Sequence, residues 1–316
     1  MKALIIDQVS SHIQEFLRSK GADVDHVFLP SHDELRDIIR KYDLLVMRVD
    51  PKIDREILDA AKNLKAITVS AVGTNHIDLE YAKKKGIQIT NAPGMNSNTV
   101  AELTMSKMLD LARNTMPANK AVKEEHRWNK YVWTGVELQH KTLGIIGCGK
   151  IGSRVTHFAR AFDMDVIAYD PYLSEQEIAS RGAKKVSLDE LLTVSDLISL
   201  HAPLTDETRG MISFDQFKKM KDGVIVLNMA RGGMLDEDAA YEALRSGKVR
   251  GIGVDVMASE LAGGTMKGES TVNSPLFQFD NFIVSPHIGG GGTIDGLDIL
   301  GDCVIGHICD IFGLTR

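Results

Sequence analysis

TLGIIGCGKIGSRVTHFARAFDMDVIAYD, from Thr142 to Asp170, is the stretch that decides the fold. An apolar run from Leu143 to Ile146 leads directly into Gly147-x-Gly149-x-x-Gly152. A helical stretch opening with Lys150 and Ile151 follows, and then a second apolar run, Val166 to Tyr169, ending on Asp170. Each part has a physical reason in a nucleotide-binding βαβ unit. Gly147 permits the tight turn, Gly149 lets backbone approach a pyrophosphate, and Gly152 lets the helix pack closely on its strand. The unsatisfied N–H groups and the dipole at the helix start favour phosphate oxygens. Asp170 comes eighteen residues after Gly152, where a carboxylate accepts from the adenosine ribose hydroxyls. The same carboxylate repels a 2′-phosphate, so the expected cofactor is NAD rather than NADP. A glycine triplet alone is a weak signal, but one that follows a strand, opens a helix and ends on an acid is a strong one.

Working outward, the first hundred residues alternate short apolar runs with amphipathic stretches. Strands are expected at Ala3–Ile6, Val24–Phe28, Leu44–Met47, Ala66–Val69 and Ile87–Ile89, with helices near His12–Ser19, Asp33–Arg40, Asp54–Ala61 and Leu79–Lys84. That is a parallel α/β pattern, similar to a flavodoxin-like layer. Asn98 to Leu111 reads as a long helix leading into a polar, aromatic arm, HRWNKYVWTG, with Trp128 and Trp133. Beyond the glycine loop, strands are expected at Leu197–Leu200, Val224–Asn228, Gly251–Val256 and Asn281–Val284, and a helix at about Ile294–Phe312. The expected fold is α/β, with two Rossmann-like domains. A discontinuous, flavodoxin-like substrate domain (1–98 plus 293–316) surrounds an inserted, doubly wound NAD-binding domain (99–292).

Bulk properties exclude several classes. The 316 residues are 43% hydrophobic and 25% charged, with a net charge of −6, which is ordinary for a globular protein and gives no basic block for nucleic acid or anionic membrane. MKALIIDQ reads as a short strand, not a signal peptide, and no segment suits a membrane span. Cys148, Cys303 and Cys309 have no CxxC or CxxxH spacing. Reduced thiols in a cytoplasmic protein are therefore expected, without disulfides and without a metal site. Cys148 lies inside the phosphate loop, as a small residue with some exposure to oxidation chemistry.

Chemistry-bearing residues follow strands of the second domain, at the rim where open α/β sheets bind ligands. Arg231 follows the run Val224–Ala230, Glu260 follows Gly253–Met257, and His287 follows Phe282–Pro286. Reduction of a 2-oxo acid by hydride needs a forked cation for the carboxylate, which Arg supplies and Lys does not. It needs a proton donor for the carbonyl oxygen, and His titrates nearest neutrality. It also needs an acid to hold the imidazolium, a role Glu260 fits if the fold brings it to His287. His201-Ala202-Pro203 ends another strand and shapes the nucleotide pocket. Asp255 ends a strand on the same rim, where it either accepts from the nicotinamide carboxamide or serves as a loop cap. In the first domain the turn holding Val72 and Gly73 offers either backbone N–H groups for a substrate carboxylate or a plain βα turn.

Taken together, SAVGTNHIDL, NAPGMNSNTVAE, GVELQHKTLGIIGCGKIG, DLISLHAPLTDETRGMI, NMARGGMLDEDA, GIGVDVMASE and SPHIGGGGT resemble the D-isomer-specific 2-hydroxyacid dehydrogenase family. They are most similar to its phosphoglycerate dehydrogenase branch and the related hydroxypyruvate and glyoxylate reductases. The resemblance implies an NAD-dependent dehydrogenase of a small 2-oxo or 2-hydroxy acid, acting from a cleft between two domains, and a homodimer built through the cofactor domains. It assigns Arg231, Glu260 and His287 to catalysis and Val72, Gly73, Arg231 and His287 to substrate. Its cofactor set is Gly147, Gly149, Lys150, Ile151, Gly152, Asp170, His201, Ala202, Pro203, Thr208, Met229, Ala230, Asp255 and His287. Three departures stand out. The basic place in the substrate loop of phosphoglycerate dehydrogenases falls at Ala71. The family's Glu-Pro is Glu260-Leu261. The segment Ala262–Ser274 is longer and richer in glycine than usual. The chain stops soon after the returning helix, so no regulatory domain and no serine feedback are expected. The competing reading is an NAD(H)-sensing binding protein without turnover; a methyltransferase with a similar glycine loop explains neither Arg231 nor His287.

Overall fold

The computed structural model describes residues 1–258 and 272–316. The described residues divide into two compact units, one formed by Met1–Asn96 with Gly290–Arg316 and the other by 97–258 with 272–289.

In the first unit the elements are β1 (Lys2–Ile5), α1 (Ser11–Ser19), β2 (Asp23–His26), α2 (His32–Ile38), β3 (Leu44–Met47), α3 (Arg55–Ala60), β4 (Ala66–Val69), α4 (Leu79–Lys84) and β5 (Gln88–Thr90). Every pairing is parallel, in the order β2-β1-β3-β4-β5, which is the flavodoxin-like doubly wound order. Strands of such a sheet are covered on both faces, so they read as continuous apolar runs. Leu4, Ile6, Leu45, Met47, Ile67 and Val69 form one core, and Ala3, Ile5, Leu44, Val46 and Ala66 form the other, with Val304 and Ile308 of the C-terminal helix. That helix, Ile294–Phe312, starts on Thr293, whose hydroxyl accepts from Gly296 N–H at 3.0 Å, and stops at Gly313 in the left-handed conformation.

The second unit holds α5 (Ser97–Arg113), α6 (Thr115–Lys123), β6 (Thr142–Ile146), α7 (Lys150–Ala161), β7 (Asp165–Tyr169), α8 (Glu175–Ser180), β8 (Lys184–Lys185), α9 (Leu188–Val194), β9 (Leu197–Leu200), α10 (Phe214–Lys219), β10 (Val224–Asn228), α11 (Glu237–Arg245), β11 (Val249–Val254) and β12 (Phe282–Val284). Its parallel sheet runs β12-β11-β10-β9-β6-β7-β8. Counted within the unit, this is the Rossmann order 3-2-1-4-5-6 with a seventh strand added at the β12 edge. Ile146, Ile198, Val226, Ile252 and Val254 pack on one face. Leu143, Ile145, Ile225 and Leu227 pack on the other, against Met105, Met108 and Leu111 of α5. Among the described residues no helix is long and apolar enough to cross a membrane.

Candidate active site

The order of strands reverses between β6 and β9, and ligands of open α/β sheets bind outside the carboxyl ends of the strands at such a point. Here β6 delivers Gly147 at φ 89°, and a Cβ on it would lie 2.7 Å from the backbone nitrogen of Ala202, just past β9. Gly152 meets the Gly147 carbonyl, so any side chain there would push α7 off its strand. Gly149 caps α7 and faces open space, with nothing within 4 Å of where its Cβ would be. The first N–H groups of α7 are thus presented without a side chain in front of them. Lys150 is exposed and Ile151 packs partly into the core beneath the loop. Asp170 secures the loop, since its carboxylate accepts from Cys148 N–H and Tyr172 N–H, both at 3.0 Å. Each oxygen retains capacity for another donor. Cys148 is fully buried, and burial pushes its thiol pKa up, which makes it a poor nucleophile and a poor oxidation target.

At the end of β9, His201 Nε2 lies 2.8 Å from Ser199 Oγ, while its Nδ1 is buried without a hydrogen-bond partner among the described residues. Burial drives its pKa down to about 3, so the ring is neutral. The loop that follows, with Ala202 and Pro203, is closed by Thr208, whose hydroxyl donates to the Pro203 carbonyl at 2.7 Å.

Three further strand ends stand side by side, because β10 pairs with β11 and β11 with β12. After β10, the buried Asn228 side chain accepts from Ala230 N–H at 3.1 Å and donates to the Arg231 carbonyl at 2.9 Å. This turn buries Met229 and Ala230 and leaves Arg231 half-buried, with one guanidinium N–H on the Ala230 carbonyl at 2.7 Å. After β11 comes Asp255, 3% exposed. Its Oδ1 accepts from Ser285 Oγ at 2.5 Å and Ile288 N–H at 3.0 Å, and its Oδ2 accepts from Gly289 N–H at 2.7 Å. Its backbone carbonyl takes His287 N–H at 2.9 Å. His287 itself adopts φ 52°, a left-handed backbone that is costly for a side chain of this size and persists only where its surroundings enforce it. Asp255 holds this turn, so of its two sequence readings its hydrogen bonds show the loop cap, with the capped loop lying after the neighbouring strand. Glu260 lies outside the described residues, as does the segment Ala262–Ser274 up to Thr271.

In the first unit, the turn after β4 ties its carbonyls inward, with Asn91 Nδ2 on the Val72 carbonyl at 2.6 Å and Ala92 N–H on the Ala71 carbonyl at 3.0 Å. The N–H groups of Val72 and Gly73 have no partner among the described residues. Sequence reasoning missed Arg48. It follows β3 at this sheet's own reversal, where Asp7 after β1 accepts from Arg48 N–H at 3.2 Å and Val49 N–H at 3.3 Å. Its buried Nε has no hydrogen-bond partner among the described residues. The only trace of it in the sequence is a charge at the end of an apolar run.

Residues 105–289 match the family model described as D-isomer specific 2-hydroxyacid dehydrogenase, NAD binding domain. The chain belongs to the D-isomer specific 2-hydroxyacid dehydrogenase family. It is 44% identical to a hydroxypyruvate reductase of Thermotoga maritima, over 81% of each chain. It is 40% identical to a D-3-phosphoglycerate dehydrogenase of Archaeoglobus fulgidus, over 91% of this chain and 53% of that one. The chain thus spans about half the length of the phosphoglycerate dehydrogenases it matches. A crystal structure of D-lactate dehydrogenase from Aquifex aeolicus, complexed with NAD and lactic acid, superposes with a TM-score of 0.82. That comparison is at 33% identity and covers 98% of this chain and 96% of that one. This family member carries the fold and the cofactor loop that NAD requires: an open helix start at Gly149, and Asp170 fixed beside it.

Proposed function

We propose that the chain is an NAD-dependent dehydrogenase that interconverts a small 2-oxo acid and its D-2-hydroxy acid. Hydroxypyruvate or glyoxylate, 3-phosphoglycerate and similar short acids are the candidate substrates. One observation carries the reading: Arg231, Asp255 and His287 occupy adjacent strand ends of the cofactor sheet, with Asp255 pinning the turn that displays His287. In this reading 1–98 with 293–316 is the substrate domain and 99–292 the cofactor domain.

Each residue then has a task its chemistry suits. Arg231 takes the substrate carboxylate on its fork of donors, and in the first unit the N–H groups of Val72 and Gly73, without a partner among the described residues, are donors suited to an anionic substrate group. His287, protonated, gives its proton to the carbonyl oxygen, and Glu260 stabilises the imidazolium. Gly147–Gly152 and Asp170 hold the dinucleotide, and His201 through Thr208, Met229 and Ala230 wall its pocket. Bound NADH supplies the hydride. Arg48 is the cation in the first unit that would favour a substrate with an acidic tail, a task no side chain at Ala71 performs. The aromatic arm supports a homodimer, because Trp128 is 87% exposed and Tyr131 80%, and exposed apolar groups of this size mark contact surfaces. Three free thiols are consistent with a reducing, cytoplasmic setting.

The test is oxidation of NADH at 340 nm against glyoxylate, hydroxypyruvate, phosphohydroxypyruvate, pyruvate, oxaloacetate and branched 2-oxo acids, with NADPH in parallel. The proposal expects turnover of at least one short acid with NADH preferred. Tight NADH binding with no turnover of any acid would replace it with a redox-sensing role.

A further inference from the structure

The face of β11 that carries Asp255 is covered by α5, and α5 places a lysine there. Gly251, Gly253 and Asp255 alternate onto this face. A Cβ on Gly251 would sit 2.6 Å from Leu111 Cδ2, and one on Gly253 would sit 3.4 Å from Lys107 Cβ. One on Gly289 would sit 3.5 Å from Leu103 Cδ2 and 2.8 Å from Asp255 Oδ2. The helix therefore runs antiparallel to the strand, with Leu111, Lys107 and Leu103 stepping toward Asp255. Helical side chains lean toward the helix N-terminus, which here is the Asp255 end. Lys107 is 3% exposed and flanked on its own helix by the buried Met105, Met108 and Leu111. None of the tasks assigned above uses it.

We propose that Lys107 is a positioning residue whose buried ammonium supports the Asp255 carboxylate that clamps the Ser285–Gly289 turn and thereby fixes His287. The inference rests on the reading of His287 as the proton donor. Asp255 is a nearly fully buried carboxylate, and such a charge is costly unless compensated. Its three donors, Ser285 Oγ, Ile288 N–H and Gly289 N–H, compensate part of it. Lys107 adds a cation on the same face, acting through space rather than as a direct ion pair. Burial pulls the Lys107 ammonium below its ordinary pKa, opposed by the attraction of Asp255 and then of Asp110.

Lys107→Met removes the charge and keeps most of the volume. Backbone amide exchange, followed by NMR on the protein without cofactor, reads the clamp directly. The expected result is exchange at Ile288 and Gly289 about tenfold faster, with amides elsewhere in the sheet exchanging as in wild type. With NADH and the preferred acid, kcat should fall about tenfold while the acid's KM stays within about threefold. In an Asp255→Asn background, Lys107→Met should add less than about twofold to either effect. Unchanged exchange at the two amides would overturn the inference. So would additive effects of the two substitutions, or a lower Tm with faster exchange throughout the sheet, which would make Lys107 a packing residue. The exchange measurement needs no substrate, so a wild-type chain that reduces no 2-oxo acid would sink the proposed activity and leave this inference to be judged on its own.

Discussion

Gly232→Ala puts the placement of Arg231 under direct strain. Gly232 directly follows Arg231 and is buried where the turn after β10 meets Met257 and Ala258, in the segment that follows β11. A methyl group there would lie 2.5 Å from Ala258 N and closer still to the Met257 carbonyl group, all of it backbone. Non-bonded carbon contacts settle at about 3.5 Å, so one of the two backbones must retreat by about 1 Å. Met257 is buried and Ala258 N–H donates to the Glu237 carboxylate at 2.8 Å, so the 231–233 turn is the part that yields. Overpacking of this kind costs about 1–3 kcal/mol of stability, and for a chain of this size each kcal/mol lowers Tm by about 2–4 °C. The functional effect should be larger, because displacing a substrate-orienting group by about 1 Å costs on the order of 10²-fold in rate. The assay is kcat/KM for the preferred acid beside NADH affinity from fluorescence titration. The expected result is a kcat/KM about 10²-fold lower with NADH affinity within about threefold of wild type. A kcat/KM within about threefold of wild type, in a protein with the lowered Tm, would refute the claim that this turn positions the substrate clamp.

His201 makes stability depend on pH. Its folded pKa of about 3 lies below that of a free histidine near 6.5, so below pH 6.5 the unfolded chain takes up a proton that the folded chain refuses. Stability is therefore lost as pH falls from about 6.5 toward 3, by about 2–3 kcal/mol at pH 4.5. Urea unfolding of His201→Gln against wild type should show the difference between them narrowing or inverting over that window, and parallel curves would contradict it. Asp170→Ala removes the carboxylate that holds Cys148 N–H and Tyr172 N–H. NADH affinity should fall about tenfold or more while NADPH affinity falls less, and equal losses for both cofactors would contradict the assignment. Arg48→Met should lower kcat/KM for acids with an anionic tail by about tenfold or more relative to pyruvate, and an equal effect on both would remove Arg48 from substrate choice.

The parts of this fold that are local were legible in the sequence. The β6–α7–β7 unit announces itself because a strand, a three-glycine turn and an acid must follow one another in fixed order. Strand ends at Asn228, Val254 and Val284 were near enough to their expected places to put Arg231, Asp255 and His287 on one rim. What depends on pairing across the sheet was hidden. The clamp of Asp255 on Ile288 and Gly289 exists only because β11 lies beside β12, and nothing within either segment shows it. Lys107 sits in a helical pattern like any surface lysine, and its burial follows from glycines about 145 residues away that let α5 close on β11. Edge elements were blurred for a different reason. β2 was expected at Val24–Phe28 but pairs as Asp23–His26, since an edge strand with exposed residues carries little apolar pattern. α6 is hidden because it is a short helix with a proline in its first turn and Ala121 as its buried residue, beginning after a left-handed Asn114. The acid expected at Glu260 lies outside the described residues.

The most direct test of the central claim is single-turnover reduction of the preferred 2-oxo acid by enzyme saturated with NADH, comparing wild type with Arg231→Ala and His287→Ala. The account predicts a loss of about 10²-fold or more for each, with NADH still bound in both variants. Turnover that survives both substitutions would contradict the assignment of the carboxylate clamp and the proton donor, and with it the proposed chemistry of this site.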